Sequence, residues 1–208
     1  MEEPEACRLW LGILERIAGR AAHDVRDVLN GVSVNLEVVR SRSANPAAQV
    51  SAVERFANAA GEQLEELTTM ADSLLRLARA PQEQADVELL LRQLVSLLAR
   101  SAKGEGGALH LEVGDSAAGD AATRVSGYLP RIMLGEAMLL AAESGQDVSC
   151  VMERGEPTVV RFTFAGTPPA LPGHLGALTA DSGIQHATSG RDLTIEFTGA
   201  PRRLHELT

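Results

Sequence analysis

The sequence predicts an α + α/β chain. Residues 1–80 form an antiparallel helical hairpin that pairs with a second copy into a four-helix bundle, and residues 81–208 form an α+β two-layer sandwich. Three observations predict this. Apolar residues recur at alternating spacings of three and four across two long stretches. Pro81 marks a change in pattern, after which short helical periods alternate with period-two runs. Hydrophobic residues make up 45% of the chain but aromatics only 3%, so the core is Leu, Val and Ala, which suits helix seams.

The first helix is expected over residues 6–43. Leu11, Leu14, Ala18, Ala21, Val25, Val28, Val32 and Val39 form a heptad seam. Asn35 is its one polar entry, a residue type that fixes register at some cost in stability. Asn45-Pro46 breaks the pattern, because the residue before proline avoids the helical region. The second helix is expected over residues 46–79, with Val50, Val53, Ala57, Ala60, Leu64, Leu67, Ala71, Leu74 and Ala78 in the seam. A lone hairpin has too little core, so two copies pairing into a four-helix dimer is the economical arrangement.

After Pro81, residues 86–100 read as an amphipathic helix and 108–113 as a strand. Residues 114–122 form a Gly/Ala/Asp-rich loop, and 129–142 form a helix with Pro130 in its first turn, where proline is tolerated. Residues 148–153 and 158–164 are strands, 167–176 is a Pro/Gly loop, and 193–197 is a last strand. The expected sheet is open and antiparallel.

Charge and cysteine content narrow the function. A net charge of −9 argues against a nucleic-acid binder and against an anionic membrane surface as partner. No apolar run approaches the roughly 20 residues of a membrane span. The acidic start, MEEPEACRLW, lacks a signal-peptide pattern. Cys7 and Cys150 are isolated, so a disulfide framework is not expected and a cytoplasmic location is. His110, His174, His186 and His205 have no metal-ligand spacing.

One polar cluster interrupts the first helix: His23, Asp24, Arg26, Asp27 and Asn30. At about 100° per residue, His23 lies opposite the seam, at the exposed f position. Arg26 and Asp27 follow three and four residues on and share its face, and Asn30 continues it. Gly19, one turn earlier, leaves room for another protein. Histidine is the side chain whose neutral, nucleophilic form is plentiful near neutral pH. Such a ring attacks a phosphoryl group at one nitrogen while an acid, here Asp24, orients the other. Arg26 is placed to offset phosphoryl charge. The plainer alternative is a surface histidine with no chemistry.

The run Ala22-His23-Asp24-Val25-Arg26-Asp27-Val28-Leu29-Asn30-Gly31 resembles the H-box of sensor histidine kinases: His-Glu/Asp-x-Arg, a small polar residue, Pro, Leu. The resemblance implies that His23 is a phosphoacceptor and Asp24 its acidic helper, on the first helix of a dimerisation hairpin. Val28 stands where the family has proline. Asp27 stands where Thr or Asn supports phosphatase activity in many members.

The layout after Pro81 resembles the ATPase domain of that family, but its nucleotide contacts are missing. Helix 131–142 has no Asn to hold Mg²⁺, and Glu136 alone on it is a metal-ligand type. In place of Asp-x-Gly-x-Gly stands Phe164-Ala165-Gly166-Thr167-Pro168-Pro169. Residues 175–190 carry only scattered glycines. The expectation is therefore a degenerate ATPase-like domain with no cofactor and no metal.

A phosphoacceptor hairpin fused to such a domain resembles the dimeric histidine phosphotransferases of phosphorelays. That resemblance implies response-regulator receiver domains as partners, with Asp27 and Asn30 lining the docking surface, and a homodimer. The alternatives are a non-catalytic dimeric adaptor or inhibitor of two-component signalling, and a divergent ATP-dependent histidine kinase.

Overall fold

The computed structural model describes residues 3–45, 50–81, 85–114, 124–125, 127–179 and 182–198. Pro46, His205 and nearly all of the 114–122 loop lie outside the described residues. The elements run α1 (Glu3–Ser43), α2 (Val50–Ala78), β1 (Ala85–Asp86), α3 (Val87–Gly104), β2 (Leu109–Val113), β3 (Arg124–Val125), α4 (Leu129–Glu143), β4 (Val148–Glu153), β5 (Thr158–Phe164), α5 (His174–Thr179), β6 (Ile184–Ser189) and β7 (Asp192–Phe197).

α1 and α2 form the hairpin, but the buried stripes differ from the expected seams. On α1 the stripe is Ala6, Trp10, Ile13, Ile17, Ala21, Asp24, Val28 and Val32, while Leu11 is exposed. On α2 the buried positions are Ala60, Met70, Ser73 and Leu77, and Val50 and Leu64 are exposed. The reason lies in the neighbours. The first half of α1 packs on α3 and α4 as well as on α2, and this turns its apolar face by about one residue. Asn35 donates to Gln63 Oε1 at 3.0 Å, so the polar entry has a partner across the hairpin.

The main sheet has order β2-β4-β5-β7-β6. It is mixed, not antiparallel throughout: β2 pairs parallel with β4, because helix α4 lies between them in the chain and supplies the crossover a parallel pair requires. The strands at 148–153 and 158–164 fall where alternation places them. β6 and α5 are additional; α5 begins inside the expected 167–176 loop. β1 and β3 make a separate two-residue antiparallel pair. Asp86 caps α3, accepting from the Leu89 backbone N–H at 3.0 Å.

One apolar cluster runs through the fold. Cys150, Val160, Phe162, Phe164, Leu193, Ile195 and Phe197 line the inner face of the sheet, and Leu91, Leu94, Leu98, Ile132 and Met133 join them from α3 and α4. α4 also meets α1. A Cβ on Gly135 would stand 2.7 Å from Ile13 Cγ2 and 3.2 Å from Trp10 Cζ3, so only glycine permits this approach. The Trp10 indole N–H donates to the Leu77 carbonyl at 3.2 Å. Arg131 donates to the carbonyls of Leu77 and Arg79 and lies 5.7 Å from the Trp10 ring centroid. The N-terminal half of α1 is thereby fastened to the sandwich, and this sets what surrounds the middle of the helix.

Candidate functional site

His23 is in the middle of α1, with its side chain 72% exposed. Its Nδ1 is 3.3 Å from Asp27 Oδ2, one turn on, and 3.9 Å from Asp24 Oδ1. The nearer acid is therefore Asp27, not the adjacent Asp24 that the motif singles out. Asp24 points toward the buried stripe and is 7% exposed. Its Oδ2 is the one buried side-chain polar atom without a hydrogen-bond partner among the described residues. Burial pushes the Asp24 carboxyl up from its ordinary value, and the nearby His23 and Arg100 charges pull part of the way back.

A cleft of about 790 Å³ opens beside His23. One wall is α1, with Arg16, Gly19, Arg20, Asp24 and Asp27. The other is the last turns of α3, with Arg100, Ser101, Lys103, Gly104 and Glu105, joined by Glu143 at the end of α4. The cations are mostly held. Arg16 Nη1 donates to both Glu136 oxygens at 2.9 Å. Arg20 reaches Glu143 at 3.0 Å and the Ser101 hydroxyl at 3.0 Å. Arg100 grips Glu66 through two bonds of 2.5 and 2.8 Å, and these hold the Glu66 carboxyl below its ordinary range. Lys103 has no ion pair among the described residues and keeps its charge available to the cleft.

The structure thus brings together His23, Asp24 and Asp27. Arg26 and Asn30 are exposed on α1 but do not line the cleft. Glu136 is not free to meet a metal: Arg16 occupies both its oxygens. Arg16 and Arg20 were legible in principle, being seven and three residues before His23 on the same face. Arg100, Lys103 and Glu143 carry no local signal, since only the packing of α3 and α4 against α1 delivers them.

Chemically, a neutral His23 that keeps its proton on Nδ1, facing Asp27, has its lone pair on Nε2. That nitrogen is a nucleophile with an acid behind it, and a cation, Lys103, lines the same cleft.

No protein-family model matches the sequence. No curated protein matches it either. Among solved structures, the chain is similar to Acinetobacter baumannii histidine kinase AdeS, at 11% identity and a TM-score of 0.38 over 86% of this chain and 98% of that one. It is similar to the blue-light activated histidine kinase of Erythrobacter litoralis, at 13% identity and a TM-score of 0.42 over 82% of this chain and 64% of that one. A third is histidine kinase ThkA, solved in complex with the response regulator protein TrrA, at 14% identity and a TM-score of 0.36 over 93% of this chain and 64% of that one.

Proposed function

We propose that this chain is a histidine phosphotransferase of a two-component phosphorelay, passing phosphoryl groups between receiver-domain aspartates through His23 without using ATP. The observation that carries the proposal is an exposed histidine on a bundle helix with Nδ1 at 3.3 Å from Asp27, beside a cleft lined by Lys103, which has no ion pair among the described residues.

In the forward step the His23 Nε2 lone pair attacks phosphorus of an aspartyl phosphate. The N–P bond forms, the P–O bond to the aspartate breaks, and the aspartate leaves as a carboxylate. The ring keeps its proton on Nδ1 and becomes cationic, and the Asp27 carboxylate stabilises it. Transfer to a second receiver reverses these steps. Phosphoryl transfer of this kind needs positioning and charge stabilisation more than covalent help from the protein. Lys103 and Arg26 offset phosphoryl charge, and Asp24 adds a second carboxylate 3.9 Å from the ring. The receiver docks over Gly19, where nothing lies within 4 Å of a built Cβ, and meets Asp27 and Asn30.

Two further observations support the reading. Glu136, the metal-ligand type on α4, is bound by Arg16, and an apolar ring, Phe164, stands where the kinase family has its adenine-reading Asp. Leu11, Leu29 and Leu36 form an exposed apolar stripe along α1, with Leu64 and Leu75 exposed on α2. These stripes are the surface on which a second copy completes a four-helix bundle.

The test is to offer the full chain labelled phosphate in two forms: phosphorylated receiver domains, and ATP labelled at the γ position. Label from a receiver and none from ATP is expected. Label from ATP alone would replace the proposal with a divergent kinase. Receivers that bind but never transfer would replace it with an adaptor.

A further inference from the structure

We infer that His23, Asp24 and Asp27 form a site for a divalent transition-metal ion of the Zn²⁺ class, and that a bound ion silences the phosphoacceptor nitrogen. The second half of this inference rests on the reading of His23 as a phosphoacceptor; the first half does not.

The donor set is one imidazole nitrogen and two carboxylate oxygens. This is a zinc-type ligand set, and three protein ligands leave a fourth position for water. The three ligand atoms lie within 4.8 Å of one another. A tetrahedral ion with bonds of about 2.0–2.1 Å holds its ligand atoms roughly 3.3 Å apart. The His23–Asp27 pair is already at 3.3 Å. Asp24 Oδ1 is at 3.9 Å from the ring nitrogen and closes in by about half an ångström to reach that spacing.

A second observation points independently to a missing ligand. Asp24 is 7% exposed and lines the cleft, and its Oδ2 has no partner. A buried carboxylate with one oxygen left unpartnered is costly because of its charge, and a cation bound by that carboxylate neutralises the charge. Arg100, whose charge acts on Asp24, does not: it is committed to Glu66 through two bonds. Arg100 and Lys103 do raise the local positive charge, so the site is weaker than a closed structural zinc centre.

The ion and the phosphoryl group exclude each other through the tautomer. With metal on Nδ1, the remaining ring proton sits on Nε2, and the lone pair that attacks phosphorus is gone. With phosphate on Nε2, a ring that keeps its Nδ1 proton against Asp27 has no lone pair there for a metal. Occupancy by one is therefore a switch against the other.

Calorimetric titration of the full chain with ZnCl₂ tests the site. One saturable site per chain is expected, with affinity falling roughly tenfold or more in His23→Gln, Asp24→Asn and Asp27→Asn alike. Nitrogen-15 spectra of the His23 ring should show metal on Nδ1 and the proton on Nε2. No saturable binding, or binding unchanged in His23→Gln, overturns the site. Phosphoryl acceptance from a receiver, at constant excess Mg²⁺, should fall in proportion to zinc occupancy and return with a zinc-selective chelator. Acceptance that is unaffected at full occupancy overturns the switch. Zinc bound at His23 in a protein that accepts no phosphate even without zinc leaves the site standing and removes the phosphoacceptor reading instead.

Discussion

Replacing Asp24 with asparagine should make the metal-free protein more stable at neutral pH. Asp24 occupies the buried stripe between Ala21 and Val28, is 7% exposed, and leaves Oδ2 unpartnered. An unsatisfied buried polar group costs about 1–3 kcal/mol, and more when charged. The His23 and Arg100 charges return part of that cost, and asparagine keeps the shape and a polar oxygen, so the net gain is about 1 kcal/mol. For a chain of this size that is an increase of about 2–4 °C in Tm. The pH dependence separates charge from shape. Burial raises the folded carboxyl above its ordinary value of 3.8, so the folded state binds the proton more tightly than the unfolded chain does. Stability contributed by Asp24 is then present at low pH and lost as pH rises from 3.8 through the raised folded value. The asparagine variant should therefore gain nothing over wild type in acid and its full advantage at neutral pH. Urea unfolding of both proteins at fixed protein concentration across this range measures it. An asparagine variant less stable than wild type at neutral pH, or an advantage of equal size in acid, would refute the reasoning.

Trp10→Ala should cost about 3–5 kcal/mol in urea unfolding, because the ring is 2% exposed, anchors Leu77 and packs under Arg131. Gly19→Ala, with open space around the built Cβ, should add up to about 1 kcal/mol of stability from helix propensity while slowing phosphoryl acceptance; stability and transfer rate moving together would contradict the docking surface. Arg16→Met strands the Glu136 carboxylate, and since Arg16 is half exposed and water can partly replace it, the expected loss is about 1–3 kcal/mol by thermal or urea unfolding.

The strands were the most legible part of the fold. Cys150, Met152, Phe162 and Phe164 alternate with half-exposed neighbours, and period two is hard to mistake over six residues. β6 was illegible because only Ile184 in Ile184–Ser189 is buried, as befits an edge strand that leaves its remaining side chains in water. The parallel β2–β4 pair was illegible because register across a helical crossover has no local signature. On α1 the expected seam and the buried stripe agree at Ala21, Val28 and Val32 and differ in the N-terminal half: Leu11 and Trp10 are adjacent and both apolar, and the packing of α4 through Gly135 decides for Trp10. The same distant packing explains the site. His23, Asp24 and Asp27 were legible as one helical cluster, whereas Lys103 and Arg100 reach it only because α3 ends beside α1. Which acid faces the ring follows the helical spacing, which puts Asp27 on the face of His23, whereas the motif singled out the adjacent Asp24.

The most direct test of the central claim is the location and chemistry of the transferred phosphate. Wild-type protein and His23→Gln would each be mixed with a phosphorylated receiver in the absence of ATP, and the label followed through acid and alkali. The account predicts label on the wild type alone, lost in acid and stable in alkali as a phosphohistidine is, with a matching loss of phosphate from the receiver. Label that persists in His23→Gln, or that survives acid, would contradict it.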